Sequence, residues 1–459
     1  MKGALAKAVV ACCLVLPASP TAAQVPARDA LAQRVDRYLQ PYLDLAAFSG
    51  VVLLARHGNI LLERAYGMAN YELGVPIRIG TRFHIASVSK TFTAAAVLQL
   101  VERGKISVRD PIAKFVPDYP RGNEITVHHL LAHASGIPDV NGLPGYDTIA
   151  RLPHTTASLV ALFRDQPLDF VPGSRYSYSN SNYNLLAYII EHVSGMGYGE
   201  FLEQNIFRPA GLTSTAHDSS PASLVPDRAS GYMPVGAIGL ANAPYIDWTT
   251  KTGNGSLYST AEDLFHWDRA LHGGKVLKDQ SVALMFTAQL GGVGYGWMVG
   301  QRLNRRVYRM SGRSPGFSSE IQHYPNEDLL VVVLSNNYAA TATTVATDLA
   351  AMVLGEPVIS LAVRSPVAIS PGTLDRYTGR YLGGDDFLIP RVTLTLDNRD
   401  GELVMSWSSG AVEELVPQSD STFLDRRFWS LVRFGTSSAD SGRLTYQSGG
   451  KDYIARRLP

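Results

Sequence analysis

The hydrophobic pattern of this 459-residue chain changes at a proline-rich stretch about a hundred residues before its end. Residues 355–372 contain three prolines and have the composition of a linker. Before this stretch, runs with helical period alternate with short apolar runs typical of strands, whereas only short alternating runs and turn residues follow it. We therefore predict an α/β domain over residues 24–355, a linker over 356–372 and a small all-β barrel domain over 373–459.

Within the first domain, apolar runs occur near both ends and helical patterns lie between them. Such an order predicts a mixed sheet flanked by helices, with strands contributed by distant parts of the sequence. The predicted helices cover residues 28–43, 87–103, 182–193 and 341–354, and the predicted strands cover 51–54, 60–62, 318–324 and 329–335.

The N-terminus has the three parts of a secretory signal peptide. Lys2 and Lys7 precede an apolar stretch, residues 8–16, and small residues follow at 21–23. The apolar stretch is too short for a membrane anchor. Residues 1–23 are therefore predicted to be removed on export, which places the mature protein in the periplasm or outside the cell.

Removal of this segment would also remove Cys12 and Cys13, the only cysteines of the chain. The mature protein is then expected to have no disulfide, no thiol nucleophile and no cysteine metal site. The 41 basic and 40 acidic residues nearly cancel, so the charge does not indicate a nucleic-acid partner. No later apolar run is long enough to predict a membrane span.

A possible nucleophile lies at the start of the first long predicted helix. Ser87 and Lys90 are three residues apart, a spacing that places both side chains on one face of a helix. A neutral lysine can take the proton of a serine and make it nucleophilic. The pattern alone is weak, because Ser448 and Lys451 repeat it in a glycine turn, and an ordinary helix cap followed by a surface lysine remains an alternative.

Several further stretches, in a fixed order, resemble the serine β-lactamase and penicillin-binding-protein superfamily. The resemblance is to the branch that contains class C β-lactamases, D-aminopeptidases, D-alanyl carboxypeptidases and family VIII esterases, and it covers about residues 30–355. It implies a mixed α/β domain with an inserted helical region and a site between the two. The tail from residue 373 resembles, more loosely, a lipocalin-like C-terminal domain. The matching stretches are residues 83–90, 130–138, 172–180, 257–264 and 315–319.

The resemblance implies that Ser87 is the nucleophile, that Lys90 and Tyr178 form the acid/base pair, and that Asn180 holds a substrate carbonyl. For this role the pKa of Lys90 must fall from about 10.4 to about 7, which burial and a nearby cation would favour. Whether Lys90 or Tyr178 is the resting base stays open at this point. The structural alternatives are a core ring for Tyr178 and a helix N-cap for Asn180.

The third motif of the family, a Lys-Thr-Gly or His-x-Gly triplet, has two candidates here. Lys251 begins a literal match, but that match precedes residues 257–260, whereas the family's triplet directly precedes the Pro-Gly-Phe turn. We therefore interpret Lys251 as a loop lysine and assign the substrate-binding strand to the segment before Pro315. The predicted substrate-binding residues of this segment are Met310, Ser311, Gly312 and Arg313.

This assignment has a consequence for substrate choice, because Met310 cannot supply a cation to a substrate carboxylate. We expect a preference for substrates without that carboxylate, unless the side chain of Arg313 compensates. The backbone N–H of Arg313 is expected to join that of Ser87 as the oxyanion hole.

Other catalytic classes fit less well. Residues 312–316 match a Gly-x-Ser-x-Gly elbow, but Pro315 lacks the N–H which that elbow needs. His133, His266 and His323 show no metal-ligand spacing, and no phosphate-binding loop is found, so no metal or cofactor is expected.

Together these features predict an exported serine hydrolase that forms an acyl-enzyme with small esters, amides or short peptides, including those with D-residues. The alternatives are a class C-like β-lactamase, a D-alanyl carboxypeptidase, and a non-catalytic penicillin-binding-like protein. The oligomeric state is left open.

Overall fold

A computed structural model describes residues 24–459 except for Ala237, Ala340, 359–360, 362–365, Ala411 and 438–439. The predicted signal peptide and both cysteines lie outside the described residues. Among the helices that are described, none combines the length and the apolar character that crossing a membrane requires.

The first domain is built on an antiparallel sheet of six strands, which come from the two ends of the domain. The strands before the linker are β1 (Gly50–Arg56), β2 (Asn59–Tyr66), β3 (Met68–Asn70), β4 (Val75–Pro76), β5 (Phe83–His84), β6 (Ala216–His217), β7 (Tyr232–Val235), β8 (Gly239–Asn242), β9 (Leu257–Ser259), β10 (Met298–Arg302), β11 (Arg305–Ser314), β12 (Phe317–Tyr324) and β13 (Leu329–Ser335).

The order in the main sheet is β10-β11-β12-β13-β1-β2, so the N-terminal hairpin completes a sheet started by the later strands. Gly50 lies opposite Ser335 in this pairing, and a Cβ at Gly50 would lie 1.9 Å from the backbone oxygen of Leu334. Glycine therefore allows the two distant strands to meet. The predicted hairpin and the two predicted late strands are confirmed.

Helices cover both faces of this sheet, which explains why β12 and β13 are buried at every position. The helices are α1 (Gln24–Asp44), α2 (Ser89–Glu102), α3 (Val127–Leu131), α4 (Tyr146–Ile149), α5 (Thr156–Phe163), α6 (Asn180–Ser194), α7 (Tyr198–Leu202), α8 (Arg208–Ala210), α9 (Ala261–His272), α10 (Asp279–Met285), α11 (Ala342–Leu354) and α12 (Pro371–Asp375).

Successive strand residues point to opposite faces, so the sheet serves two hydrophobic cores. Val52 and Val331 pack with α1 and α11, whereas Val51 and Val332 pack with α2, α9 and the helices inserted between them. The inserted helical region is thus confirmed. Helix α2 is buried around its whole circumference because it lies inside this second core, with every residue from 89 to 100 buried.

The C-terminal strands close into an eight-stranded antiparallel barrel, in which each strand pairs with the next and β14 pairs with β21. The predicted all-β barrel is confirmed. Inward-facing residues such as Leu394, Met405 and Phe423 form one cluster that fills the interior, as expected for eight strands. The strands are β14 (Gly379–Gly383), β15 (Thr393–Arg399), β16 (Glu402–Trp407), β17 (Val412–Ser419), β18 (Thr422–Asp425), β19 (Ser430–Phe434), β20 (Arg443–Ser448) and β21 (Lys451–Arg457).

The barrel docks on α1 and the adjoining core through the turn between β18 and β19. The indole of Trp429 stacks on the Tyr42 ring at a centroid distance of 3.9 Å, and only 3% of Trp429 is exposed. In the same turn, Arg426 donates hydrogen bonds to the backbone oxygens of Leu45 (3.0 Å) and Val235 (2.9 Å). The barrel therefore shares a hydrophobic core with the first domain.

We expect Trp429→Ala to destabilise the contact between barrel and first domain by about 3–5 kcal/mol, because truncating a buried tryptophan leaves a cavity. Calorimetry should then resolve a barrel transition at a lower temperature than that of the first domain, instead of joint unfolding. Tyr245→Ala is the control, since Tyr245 is 57% exposed. Unchanged melting of the Trp429 variant would contradict this account of the interface.

Candidate active site

Ser87 lies on a short 3-10 helix, Ala86–Val88, which leads directly into α2. Strand β11 passes very close to this turn: a Cβ at Gly312 would lie 2.2 Å from the backbone oxygen of Ile85 and 3.1 Å from the Ser87 nitrogen. Gly312 is therefore required for the approach. The result is that the backbone of β11 runs beside the Ser87 hydroxyl.

Lys90 is completely buried one turn further along the chain, as the three-residue spacing predicted. Its Nζ donates hydrogen bonds to Ser87 Oγ (3.1 Å), to Asn180 Oδ1 (2.9 Å) and to the backbone oxygen of Asn254 (2.7 Å). All three partners are uncharged. The surface-lysine alternative for Lys90 is therefore wrong.

Burial lowers the pKa of Lys90 well below its ordinary value, because desolvation penalises the ammonium form. The charge of Lys251 lowers this pKa further, whereas the carboxylate of Asp139 opposes the change. The environment thus favours the neutral amine, which can accept a proton from Ser87.

Tyr178 completes a chain of three polar groups, since its hydroxyl lies 2.9 Å from Ser87 Oγ. One ring face stacks on the imidazole of His133 at a centroid distance of 4.5 Å, and Lys90 Nζ lies 5.0 Å from the ring centroid. The residue as a whole is 37% exposed, so it is not a core ring. Its hydroxyl points inward, and desolvation raises the pKa of Tyr178 above its ordinary value.

His133 was not among the predicted site residues. Burial, together with the nearby charge of Lys90, lowers the pKa of His133 to about 3, so its ring is neutral under working conditions. A neutral ring can support Tyr178 without adding another charge beside Lys90.

Asn180 is the first residue of α6, and its side chain turns toward the site instead of capping the helix, whose N-cap is Ser179. While its Oδ1 accepts from Lys90, its Nδ2 donates to both carboxylate oxygens of Asp139 at 3.2 Å. Asp139 was missed by sequence reasoning, although it directly follows the 130–138 stretch. This carboxylate fixes the orientation of the Asn180 amide.

The β11 residues occupy the predicted wall of the site, with one correction. Met310 and Ser311 border the cavity as expected, and Met310 is buried. The Arg313 guanidinium instead points away: its Nε donates to the backbone oxygen of Tyr338 at 3.0 Å, and it stacks on the rings of Tyr338 and Phe428. The structure does not bring the Arg313 side chain to the substrate position, because Arg313 faces the side of β11 opposite to Gly312, whose Cβ position lies beside Ser87.

The interpretation of Lys251 as a loop lysine is also wrong. It ends a 3-10 helix, Trp248–Lys251, and is only 7% exposed. Its Nζ donates hydrogen bonds to Asn141 Oδ1 (3.1 Å) and to the Tyr146 hydroxyl (2.7 Å). Burial lowers the pKa of Lys251 to about 8. The sequence signal for Lys251 was the literal Lys-Thr-Gly match at residues 251–253. The position of this match in the chain, however, does not reveal that the 3-10 helix ending at Lys251 lies against the site.

Ser87, Tyr178 and Lys251 lie around one cavity of about 370 Å³. A larger cavity, of about 670 Å³, opens beside Trp248 and Phe317, but Ser87, Lys90 and Tyr178 do not line it, so size alone does not identify the site. Besides Met310 and Ser311, the smaller cavity is lined by Ser87, Asn141, Tyr176, Tyr178, Asn180, Lys251, Asn254, Gly255, Met298, Arg309, Arg313 and Ser314.

One cluster away from this cavity has side chains that bind metals in other proteins. Ligand atoms of Asp268, His272 and His323 lie within 4.8 Å of one another. The two imidazoles, however, are stacked at 4.2 Å with an interplanar angle of 19°. Because ring-nitrogen lone pairs lie in the ring planes, two stacked rings cannot both direct them at one ion. The 3.0 Å contact between His323 Nδ1 and Asp268 Oδ1 is better described as a buried structural pair.

Comparison with known proteins agrees with this geometry. The β-lactamase family model matches residues 35–353. Penicillin-binding protein 4* of Bacillus subtilis is 28% identical over 437 residues, which cover 89% of this chain and 95% of that protein.

Two solved structures share the fold. The octameric penicillin-binding protein homologue from Pyrococcus abyssi is 22% identical with a TM-score of 0.65, over 93% of this chain and 99% of that one. The D-amino acid amidase from Ochrobactrum anthropi is 22% identical with a TM-score of 0.62, over 70% of this chain and 99% of that one. Since the family model covers most of the chain and the Ser87–Lys90–Tyr178 constellation lies within the matched region, this protein belongs to the β-lactamase family of penicillin-binding-protein-like serine hydrolases.

Proposed function

We propose that this protein hydrolyses small amides, esters or short peptides through an acyl-enzyme on Ser87. The observation that carries the proposal is the position of Ser87 Oγ, which lies within hydrogen-bond distance of both Lys90 Nζ and the Tyr178 hydroxyl. A serine needs a base to become nucleophilic, and a second proton carrier to protonate the leaving group. Both are present within hydrogen-bond distance of one hydroxyl.

In the acylation step, neutral Lys90 accepts the Ser87 proton while Oγ attacks the substrate carbonyl. The directions of the pKa changes favour Lys90 over Tyr178 as the resting base, because burial stabilises a neutral amine but destabilises a phenolate. The negative charge formed on the carbonyl oxygen is assigned to the backbone N–H groups of Ser87 and Arg313. The close approach of β11 at Gly312 supports this assignment.

Tyr178 then gives its hydroxyl proton to the departing amine or alcohol and takes in return the proton that Lys90 accepted from Ser87, since both groups lie beside the same Ser87 oxygen. Lys90 and Tyr178 are then both back in their starting protonation states. In deacylation the same groups activate a water molecule, and Ser87 leaves with its proton restored. Asn180 orients the base through its bond to Lys90, and it positions the substrate carbonyl when one Nδ2 hydrogen, held by Asp139 in the empty cavity, turns to the carbonyl oxygen.

Two observations support small amides, esters or short peptides as substrates: the fold shared with an amidase, and the cavity volume of about 370 Å³. The similar amidase acts on D-amino acid amides according to its name, so D-aminoacyl amides are the first substrates to test. β-Lactam hydrolysis and D-alanyl carboxypeptidase activity are the enzymatic alternatives. Function as a non-catalytic penicillin-binding-like protein would appear as acylation without turnover.

We also propose that the protein is exported to the periplasm or the medium after removal of residues 1–23. The charged, apolar and small-residue segments of these residues support export.

The domain limits are part of the same proposal: a first domain over 24–355, a linker over 356–372 and a second domain over 373–459. No cofactor is invoked.

We expect Ser87→Ala to abolish turnover and Lys90→Met to reduce kcat/KM by roughly a thousandfold, because each removes a group that the chemical step needs. The assays are hydrolysis of D-aminoacyl p-nitroanilides, short-chain p-nitrophenyl esters and nitrocefin, together with fluorophosphonate labelling of Ser87. Lys105→Met is the matched control, since Lys105 is exposed. Full activity in a folded Ser87→Ala protein would refute the assignment.

The pH profile tests which group is the base. Activity should fall as the pH drops through the pKa of Lys90, because the ammonium form cannot accept a proton. Removing the positive charge of Lys251 should raise that pKa and move the acid limb of kcat/KM to higher pH, whereas removing the negative charge of Asp139 should move it lower. Lys251→Met and Asp139→Asn, assayed with a neutral ester, should therefore shift the limb in opposite directions. Shifts in the same direction would exclude Lys90 as the titrating base.

A further inference from the structure

Four basic residues line the catalytic cavity or lie directly beside it, and the side chains of three of them are already engaged. Lys90 must lose its charge to act as a base. The Arg309 guanidinium lies 3.6 Å from the Glu320 carboxylate, and the Arg313 guanidinium is stacked between Tyr338 and Phe428 on the far side of β11.

The fourth is Lys251, and its partners do not balance its charge. Asn141 Oδ1 and the Tyr146 hydroxyl accept its hydrogen bonds, and the Tyr146 ring lies 5.0 Å from Nζ, but all of these groups are neutral. Within the described residues, no carboxylate lies within ion-pair distance of Lys251. Asp139 acts on it at longer range, but the oxygens of Asp139 already accept hydrogen bonds from Asn180 and from the Asn141 backbone.

A buried ammonium group without a counter-ion is costly, and buried charges in proteins are normally paired. Lys251 is 7% exposed and nevertheless lines the same cavity as Ser87. It is held in place by the two hydrogen bonds that its Nζ donates to Asn141 and Tyr146, so it is a fixed group and not a mobile surface side chain.

We propose that Lys251, held by Asn141 and Tyr146, is the anion-binding residue of the cavity, and that the preferred substrates carry a carboxylate near the scissile carbonyl. The proposal rests on the hydrolase function proposed above for the same site. It reverses the expectation drawn from Met310, because the cation missing from β11 is supplied by the 3-10 helix on another wall.

Matched substrates that differ only in one carboxylate test this inference. The first pair is N-acetyl-D-alanyl glycolate and its glycolamide counterpart, with the carboxylate on the leaving group. The second is p-nitrophenyl hydrogen succinate and p-nitrophenyl succinamate, with the carboxylate on the acyl group. Each pair gives a ratio of kcat/KM, carboxylate over amide.

In the wild-type protein we expect kcat/KM for the carboxylate substrate to exceed that for its amide counterpart at least tenfold in one of the two substrate pairs. Lys251→Met should lower that ratio at least tenfold, Lys251→Arg should retain part of it, and Lys105→Met should leave it unchanged. Because the ratio compares two substrates on one protein, a general loss of activity cancels. A ratio near one in both pairs, or one that Lys251→Met does not change, would overturn the proposal.

Proton uptake provides a readout that does not need turnover. Burial lowers the pKa of Lys251 to about 8, so at pH 8.5 much of the residue is neutral in the empty cavity. A bound carboxylate favours the ammonium form, so binding should take up a proton. Calorimetry of the Ser87→Ala protein with N-acetyl-D-alanyl glycolate, in two buffers of different ionisation enthalpy, measures this uptake, which should disappear in the Ser87→Ala/Lys251→Met protein.

The two proposals fail in distinguishable ways. Binding with proton uptake but no hydrolysis of any substrate by wild type would reject the hydrolase function and keep the anion subsite. Hydrolysis with no carboxylate preference and no proton uptake would keep the hydrolase function and reject the anion subsite. Absence of binding to the Ser87→Ala protein also rejects the subsite.

Discussion

The site depends on the complete burial of one amine, Lys90 Nζ, against three uncharged oxygen atoms. An ammonium group is poorly solvated in such a place, so burial favours the neutral amine that the proposed mechanism needs. The fully buried helix α2, the amide of Asn180 and the backbone at Asn254 all serve to hold this amine next to Ser87. The core around α2 thus holds Lys90 Nζ within hydrogen-bond distance of Ser87 Oγ.

A second constraint is the balance of charge between Lys90, Lys251 and Asp139. The charge of Lys251 lowers the pKa of Lys90, and the carboxylate of Asp139 opposes the lowering of the pKa at both lysines. In the proposed mechanism a substrate carboxylate would add a negative charge beside Lys251. Substrate binding and the protonation state of the site would then be coupled, which gives Lys251 a role in both selectivity and pH dependence.

The barrel contributes to the same arrangement from outside. Phe428 stacks on the guanidinium of Arg313, the residue whose backbone is assigned to the oxyanion hole, and Trp429 stacks on Tyr42 of α1. The barrel interior is filled with its own side chains, so its contact with the rest of the protein is made by its outer surface and turns. Its docking turn therefore supports the back of β11, the strand that forms one wall of the cavity.

The sequence by itself determined the local elements and the core of the site. Helical and strand periods located the hairpin of β1 and β2, the helices α2, α6 and α11, and the change to an all-β domain, because these patterns reflect which face of each element is buried. The spacing of Ser87 and Lys90 predicted their contact, since three residues make nearly one helical turn. Tyr178 lies next to Ser87, as the family resemblance implied.

Only the tertiary structure decided which distant side chains enter the cavity. Lys251 and Asp139 lie on irregular segments whose course no periodicity predicts, so the sequence does not reveal that either side chain reaches the site. The direction of Arg313 depends on the face to which β11 turns it and on Phe428, more than a hundred residues later in the chain. Charge balance is a property of groups brought together by folding, and for that reason the sequence located the proposed nucleophile but not the cation that we propose selects the substrate.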